Sequence, residues 1–430
     1  MQGMLDRYTT DLMKASLLLH TIRAELDRLD LVLELQRFLV RKIARLERRI
    51  KRVQRAEAGM RQTLSNGRPL RDQAKRLKLR IKECSAHLEK VRQQMFIWRC
   101  FGDGIAFAYQ SKYTLKHLYY DQDYAVKQPA GFLSGKAGFR LEWKYVRLGI
   151  RMDVPVVLAD ITNIIRHGDV CALAGADPVP IEAKSGRSRN ARTDRQFRNL
   201  DELASFFKND GAPLFRGVQN VHRVELRHPE VNFLAEVNAC IAKSRTERIS
   251  VTEPEPGLRY FAIRGTDTEV LEQRLSPYIN RHTALTTLTP DADWLPAEPF
   301  TLSLDSANLV DFIRRHVMVV VLIDMLVVKS LFQELGVHCV PLMDGKYSMQ
   351  LCKNPLDLSE GVFRLSDLVF ARIATEFQSL AWFAKEYASA LNPQDFTHLS
   401  REEVEKLPGM GWTPPAEWHT AKDYFDSEEG

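Results

Sequence analysis

The chain has 430 residues, 45% apolar and 27% charged, with formal net charge +6. That length exceeds one compact core and implies two or three domains, and the composition excludes a disordered or membrane-spanning class. Six scattered cysteines without a C-x-x-C pair exclude a zinc ribbon or disulfide framework and suit a reducing compartment.

The opening stretch MQGMLDRYTTDLMK lacks the charged-then-apolar layout of a secretory signal. A cytoplasmic protein with no membrane partner is expected. Residues 1–100 hold 24 Lys and Arg against 11 Asp and Glu, a balance of +13, leaving −7 for the rest. Leu39, Ile43, Leu46, Ile50, Val53, Met60 and Leu64 follow a heptad seam interrupted by Glu57. Ser65-Asn66-Gly67-Arg68-Pro69 breaks it, and Leu77, Ile81, Cys84, Leu88, Val91 and Met95 resume it. Segment 1–98 therefore reads as an antiparallel coiled-coil hairpin with basic faces. Such a hairpin can pack within the chain, build a homodimer or higher oligomer, or lie along a nucleic acid.

After residue 100 the order is a helix over 140–147, a β-branched strand over 154–158, a hairpin over 168–184 and a helix over about 193–208. A strand at 258–264 and a helix at 268–275 follow. The apolar run VMVVVLIDMLVV (317–328) is too short to span a bilayer and carries Asp324, so it is expected to be a buried core element. A last helix covers about 366–390. The tail 401–430 is rich in Pro, Gly and acidic residues. The fold class is α/β (α+β), with domains 1–98, 99–265 and 266–400 before the tail. Region 266–400 holds no motif.

Residues 166–186 read RHGDVCALAGADPVPIEAKSG. Gly175-Ala176-Asp177-Pro178 is a turn signal between two apolar runs. Pairing Ala174 with Val179 puts Asp169 opposite Lys184 and Cys171 opposite Glu182. Side chains two apart share a face, so Asp169, Glu182 and Lys184 converge. Two hard carboxylates suit Mg²⁺ or Mn²⁺, with the Ala183 carbonyl as a further ligand, and a lysine can orient the attacking water. Solvated charges on a hairpin are the bland alternative. Against it, the E-x-K closes the apolar strand VPIEAK, and a basic run with Arg187, Arg189, Arg192, Arg195 and Arg198 follows, as a phosphate backbone would need.

The Asp…Glu-x-Lys arrangement resembles the PD-(D/E)xK nuclease superfamily. The resemblance covers roughly 101–210, with Gly168-Asp169 where the literal motif has Pro-Asp. It implies a restriction-endonuclease-like core and a Mg²⁺-dependent nuclease in which Asp169 and Glu182 hold the metal and Lys184 positions water. It further implies Gln196 on the following helix and Glu142 on the preceding one as site residues. The substrate expected is DNA before RNA, in bacterial defence (antiphage) or repair, with a partner ATPase or defence-system protein as an additional partner. His167 is a candidate phosphate contact, with a structural hydrogen bond as its competing role. GFLSGKAGF (131–139) fails the P-loop pattern in both glycine spacing and the residue after lysine, and reads as a turn before the Glu142 helix. The rival function is a non-catalytic coiled-coil protein that binds nucleic acid or drives assembly through a degenerate nuclease-like domain.

Overall fold

A computed structural model of the chain describes residues 2–67, 69–129, 131–183, 191–265, 268–353 and 362–391. It divides into two compact units, one formed by 1–224 with 290–313 and the other by 225–289 with 314–430. Among the described residues, no helix is long and apolar enough to cross a membrane.

The first unit is built on three helices: α1 (Gln2–Ala24), α2 (Leu29–Asn66) and α3 (Arg71–Tyr109). The expected hairpin is α2 and α3, and it packs within its own unit. Val32, Leu35, Leu39, Ile43 and Ile50 of α2 are buried, as are Leu88, Val91 and Met95 of α3, while Leu77, Ile81 and Cys84 near the tip are half-buried. Helix α3 runs unbroken across position 98. The seam also holds buried polar groups that the heptad pattern does not signal: Gln36, Glu47, Arg99 and Asp103. Each is satisfied by backbone elsewhere in the unit, as a buried polar group must be. Short helix α4 (Lys112–Leu115) and α5 (Phe139–Arg151) lead to a three-stranded antiparallel meander, β1 (Val156–Leu158), β2 (Val170–Ala172) and β3 (Val179–Ile181). Helix α6 (Ala191–Asn209) and the hairpin β4 (Gly211–Phe215) with β5 (Val218–His222) follow. Helices α9 (Phe300–Ser303) and α10 (Ser306–Ile313) return to this unit and pack on α1 and α3.

The second unit contains α7 (Leu234–Glu247) and a four-stranded antiparallel sheet. Its strands, β6 (Ile249–Glu255), β7 (Leu258–Ile263), β8 (Thr283–Leu288) and β9 (Met318–Asp324), lie in the order β6-β7-β9-β8. Helix α8 (Thr268–Leu275) brings Leu275 to Phe261, Ile263, Val320 and Leu322 in the core. The apolar run 317–328 is thus a central strand that turns into α11 (Met325–Glu334), with Asp324 Oδ1 accepting from Leu326 N at 2.9 Å as the helix cap. A second antiparallel sheet, β10 (His338–Pro341), β11 (Tyr347–Cys352) and β12 (Val362–Ser366), precedes two helices. The expected last helix is divided into α12 (Asp367–Thr375) and α13 (Leu380–Ala388). Phe377 takes φ +54° between them, and Ser379 caps the second. The tail 401–430 lies outside the described residues.

Candidate active site

The β2–β3 register differs from the expected one by two residues. Val170 pairs with Ile181, Cys171 with Pro180 and Ala172 with Val179, so Cys171 does not face Glu182; the ladder ends at Val170, and Asp169 N donates to the same Ile181. The tight turn at 175–178 gives way to a loop spanning 173–178. Two contacts account for this. Gln110 Nε2 donates to the carbonyls of Leu173 (2.8 Å) and Gly175 (2.7 Å), and Arg223 grips the Asp177 carboxylate. Backbone polar groups taken up by α3's end and a side-chain pair leave no ladder at 173–174. A two-residue slip keeps side-chain parity within the paired residues 170–172 and 179–181.

Gly168 makes this junction. Its φ is +74°, and a Cβ there would meet Ile181 N at 2.9 Å. Only glycine lets the chain enter β2 so close to β3. Asp169 N then donates to Ile181 O at 2.9 Å, and Asp169 Oδ2 accepts from Ala183 N at 3.0 Å.

The carboxylate's other oxygen faces a cation absent from the motif. Lys136 Nζ lies 3.0 Å from Asp169 Oδ1, 2.8 Å from Asp160 Oδ2 and 3.0 Å from Glu142 Oε1. Four groups thus meet from four places: the 131–138 loop, the first turn of α5, the turn after β1 and the start of β2. Burial acts to lower the Lys136 pKa, but Asp160 and Asp169 outweigh it and the net shift is upward. Glu142 is buried, and its Oε2 has no hydrogen-bond partner. Burial, with Asp169 and Asp160 adding to it against Lys136, pushes its carboxyl up to about 7.

The helical layer sets these backbone positions. Glu47 on α2 accepts from Leu133 N (2.9 Å) and Ser134 N (2.7 Å), and Lys51 donates to the Ser134 carbonyl, so the Lys136 loop is tied to α2. Arg99 on α3 donates to Asp160 O at 3.1 Å. Asp103 takes Asn163 N (2.6 Å), Ile164 N (3.0 Å) and Asn163 Nδ2 (2.8 Å), and burial raises its pKa to about 6. Gln36 pairs with the free edge of β1, its Nε2 on Val156 O (2.8 Å) and its Oε1 on Leu158 N (3.0 Å). Gly102 lets α3 come this close: a Cβ there would meet Ile161 O at 2.0 Å.

Of the residues expected at the site, Asp169 and Glu142 converge directly, while Glu182, half-buried just after β3, lies close enough to Lys127 to act on its charge. Ala183 joins Asp169 through its amide. Lys184, Arg187 and Arg189 lie outside the described residues, and Arg192 is in the first turn of α6. Arg195 and Arg198 are exposed on α6. Gln196 is half-buried there, with no hydrogen bond to the acidic cluster among the described residues. His167 is buried between Lys127 Nζ (3.0 Å from Nδ1) and Tyr120 O (2.9 Å from Nε2), and burial followed by Lys127 lowers its pKa to about 4. A neutral, enclosed ring has no face for a phosphate, so its structural role is the one seen. The residues missed were Lys136 and Asp160. A lysine between glycines and an acid closing the run VPVVLAD were the available signals.

No family model matches the chain, and no curated protein or solved structure matches it either. The site therefore has to be read from its own chemistry. Three carboxylates share one ammonium, and the raised Glu142 carboxyl keeps a share of a proton near neutrality. Among the described residues no group of three His, Cys, Asp or Glu closes to a ready metal site. The donor set itself, hard carboxylate oxygens with one buried oxygen unused, fits a divalent cation.

Proposed function

We propose that the first unit is a metal-dependent nuclease of the PD-(D/E)xK type, hydrolysing the phosphodiester backbone of DNA. The observation that carries this reading is the meeting of Glu142, Asp160 and Asp169 at one point. Gathering like charges in a half-buried place is costly and calls for a strong counter-ion. The element order helix, three-strand meander, helix is the order that superfamily uses, which supports the reading at the level of fold.

Asp169, Glu182 and Asp160 would hold Mg²⁺ or Mn²⁺. When bound, such an ion lowers the pKa of water and neutralises charge on a phosphate. The protein's own groups do the rest. Ala183 N fixes the Asp169 carboxylate so that one oxygen stays directed at the cluster. Glu142, with its carboxyl near 7, can hold or release a proton at Oε2 close to neutrality, as a general acid or base must. Lys136 supplies the ammonium beside the reacting phosphate, and the role expected of Lys184 is to position the water. Arg195 and Arg198 on α6 present cations to the backbone of the substrate.

A second reading rests on the same ammonium. If Lys136 is the permanent counter-ion of these carboxylates, the unit binds nucleic acid without cutting it. Labelled single- and double-stranded DNA and RNA, incubated with Mg²⁺, Mn²⁺ or EDTA, separate the two. The nuclease reading expects cleavage that EDTA stops and that Asp169→Asn and Glu182→Gln each abolish. A folded parent protein that cuts no substrate with either metal leaves only the second.

A further inference from the structure

Helix α2 carries a row of six arginines, Arg37, Arg41, Arg45, Arg48, Arg52 and Arg55, at spacings of four, four, three, four and three. At 3.6 residues per turn these positions fall on one stripe. All six are exposed, and the stripe lies opposite the buried positions Leu35, Leu39, Ile43 and Ile50. None of the six forms an ion pair among the described residues. Within 38–56 the one acidic residue is Glu47, and it is buried on the other face against the 133–134 amides. The acids that flank the row are taken as well: Glu34 pairs with Lys14 at 2.7 Å and Glu57 with Arg61 at 2.6 Å. The row is straight and runs about 27 Å along the helix axis.

We infer that this arginine row is a docking surface for a nucleic-acid backbone, separate from the acidic cluster. A solvated helix face ordinarily mixes both signs, because like charges three and four apart repel. Here repulsion is built in along five turns with no acid to relieve it. The choice of arginine at every position matters, since guanidinium recognises phosphate oxygens in a bidentate way that an ammonium does not. A partner with charges at regular intervals along a line is what such a row complements, and a phosphodiester chain has that property. An anionic membrane is the poorer occupant. Helices that bind membranes insert an apolar face beside the basic one, and the apolar face of α2 is already buried in its own unit.

The inference does not depend on catalysis. It predicts binding on a face of α2 turned away from the Glu47 side, which holds the Lys136 loop. The experiment uses the full chain carrying Asp169→Asn, in EDTA, so that cleavage cannot enter the measurement. Fluorescence anisotropy follows binding to duplex DNA, single-stranded DNA and duplex RNA of equal length, and co-sedimentation follows binding to phosphatidylserine vesicles. Arg41→Gln, Arg45→Gln, Arg48→Gln and Arg52→Gln are introduced together. A charge-matched control carries Lys208→Gln, Arg248→Gln, Arg274→Gln and Lys385→Gln, all at exposed positions. The row variant should bind at least one nucleic acid about tenfold or more weakly at roughly 0.1 M salt, and lower the slope of log K against log salt by about 3 to 4. The control should retain the parent slope, and circular dichroism should show both variants folded. The arm with the largest slope change identifies DNA or RNA as the occupant. Three results overturn the inference: a parent protein that binds none of the nucleic acids, a control that loses as much as the row variant, or a loss seen with vesicles alone. A parent that binds through the row but never cleaves with metal refutes the nuclease reading and leaves this one standing.

Discussion

Lys136 Nζ lies 3.0 Å from Glu142 Oε1, while the other oxygen of the same carboxylate, buried beside it, has no hydrogen-bond partner. One ammonium serves three carboxylates and leaves one of them half-satisfied. The tests below turn on that imbalance.

Replacing Lys136 with Met removes the cation that contacts Glu142, Asp160 and Asp169 together among the described residues. Breaking a largely buried ion cluster on one side leaves uncompensated charge, at a cost of roughly 2–4 kcal/mol at neutral pH. Millimolar Mn²⁺ should then raise the melting temperature of Lys136→Met by more than it raises that of the parent. Equal shifts in both proteins would count against a cation site at this cluster.

The Glu142 carboxyl titrates near 7 in the folded chain against an ordinary 4.5. Between those values the folded state holds a proton that the unfolded state has released. Stability from this group therefore falls as pH rises through about 4.5 to 7, by roughly 1–3 kcal/mol in all. Glu142→Gln removes the slope, so urea denaturation should show the variant gaining on the parent as pH goes from about 5 to 8. Mn²⁺ affinity of the parent, measured by calorimetry, should tighten over the same window as the proton is displaced. A pH-independent difference between the two proteins rejects the assignment.

Glu47→Ala leaves the Leu133 and Ser134 amides without their acceptor in a buried place. The expected loss is about 2–4 kcal/mol, read by urea denaturation. Because those amides hold the Lys136 loop, any metal-dependent cleavage should fall with it. Glu47→Gln should lie between parent and Ala, since an amide offers one acceptor oxygen where the carboxylate offers two.

Gly168→Ala puts a Cβ against the Ile181 backbone at φ +74°. Both the strain and the contact act on the residue next to Asp169. A destabilisation of about 1–3 kcal/mol is expected, together with a weaker Mn²⁺ response in thermal denaturation. A variant as stable as the parent would show that the β2–β3 junction tolerates a wider approach.

Much of the architecture follows from local sequence. The heptad seams of α2 and α3, the helix carrying Glu142, the strand after it and helix α8 are read from periodicity and breakers, because apolar spacing reports which face is buried. What local pattern does not contain is the register itself. Gln110 and Arg223, distant in sequence, hold the 173–178 loop open and so set the register in which Val170 meets Ile181. Nor does it contain the partners of the site. Lys136 sits in a glycine-rich loop with no periodicity, and Asp160 lies in the turn that follows a three-residue strand. They meet Asp169 only because Glu47, Arg99 and Gln36, polar positions on otherwise apolar helix faces, bind backbone groups scattered over 133–160. The sequence by itself therefore determined the elements, their buried faces and the acidic character of the site. The tertiary structure alone decided which charges share one point, because that depends on hydrogen bonds between segments whose separation along the chain leaves no periodic trace.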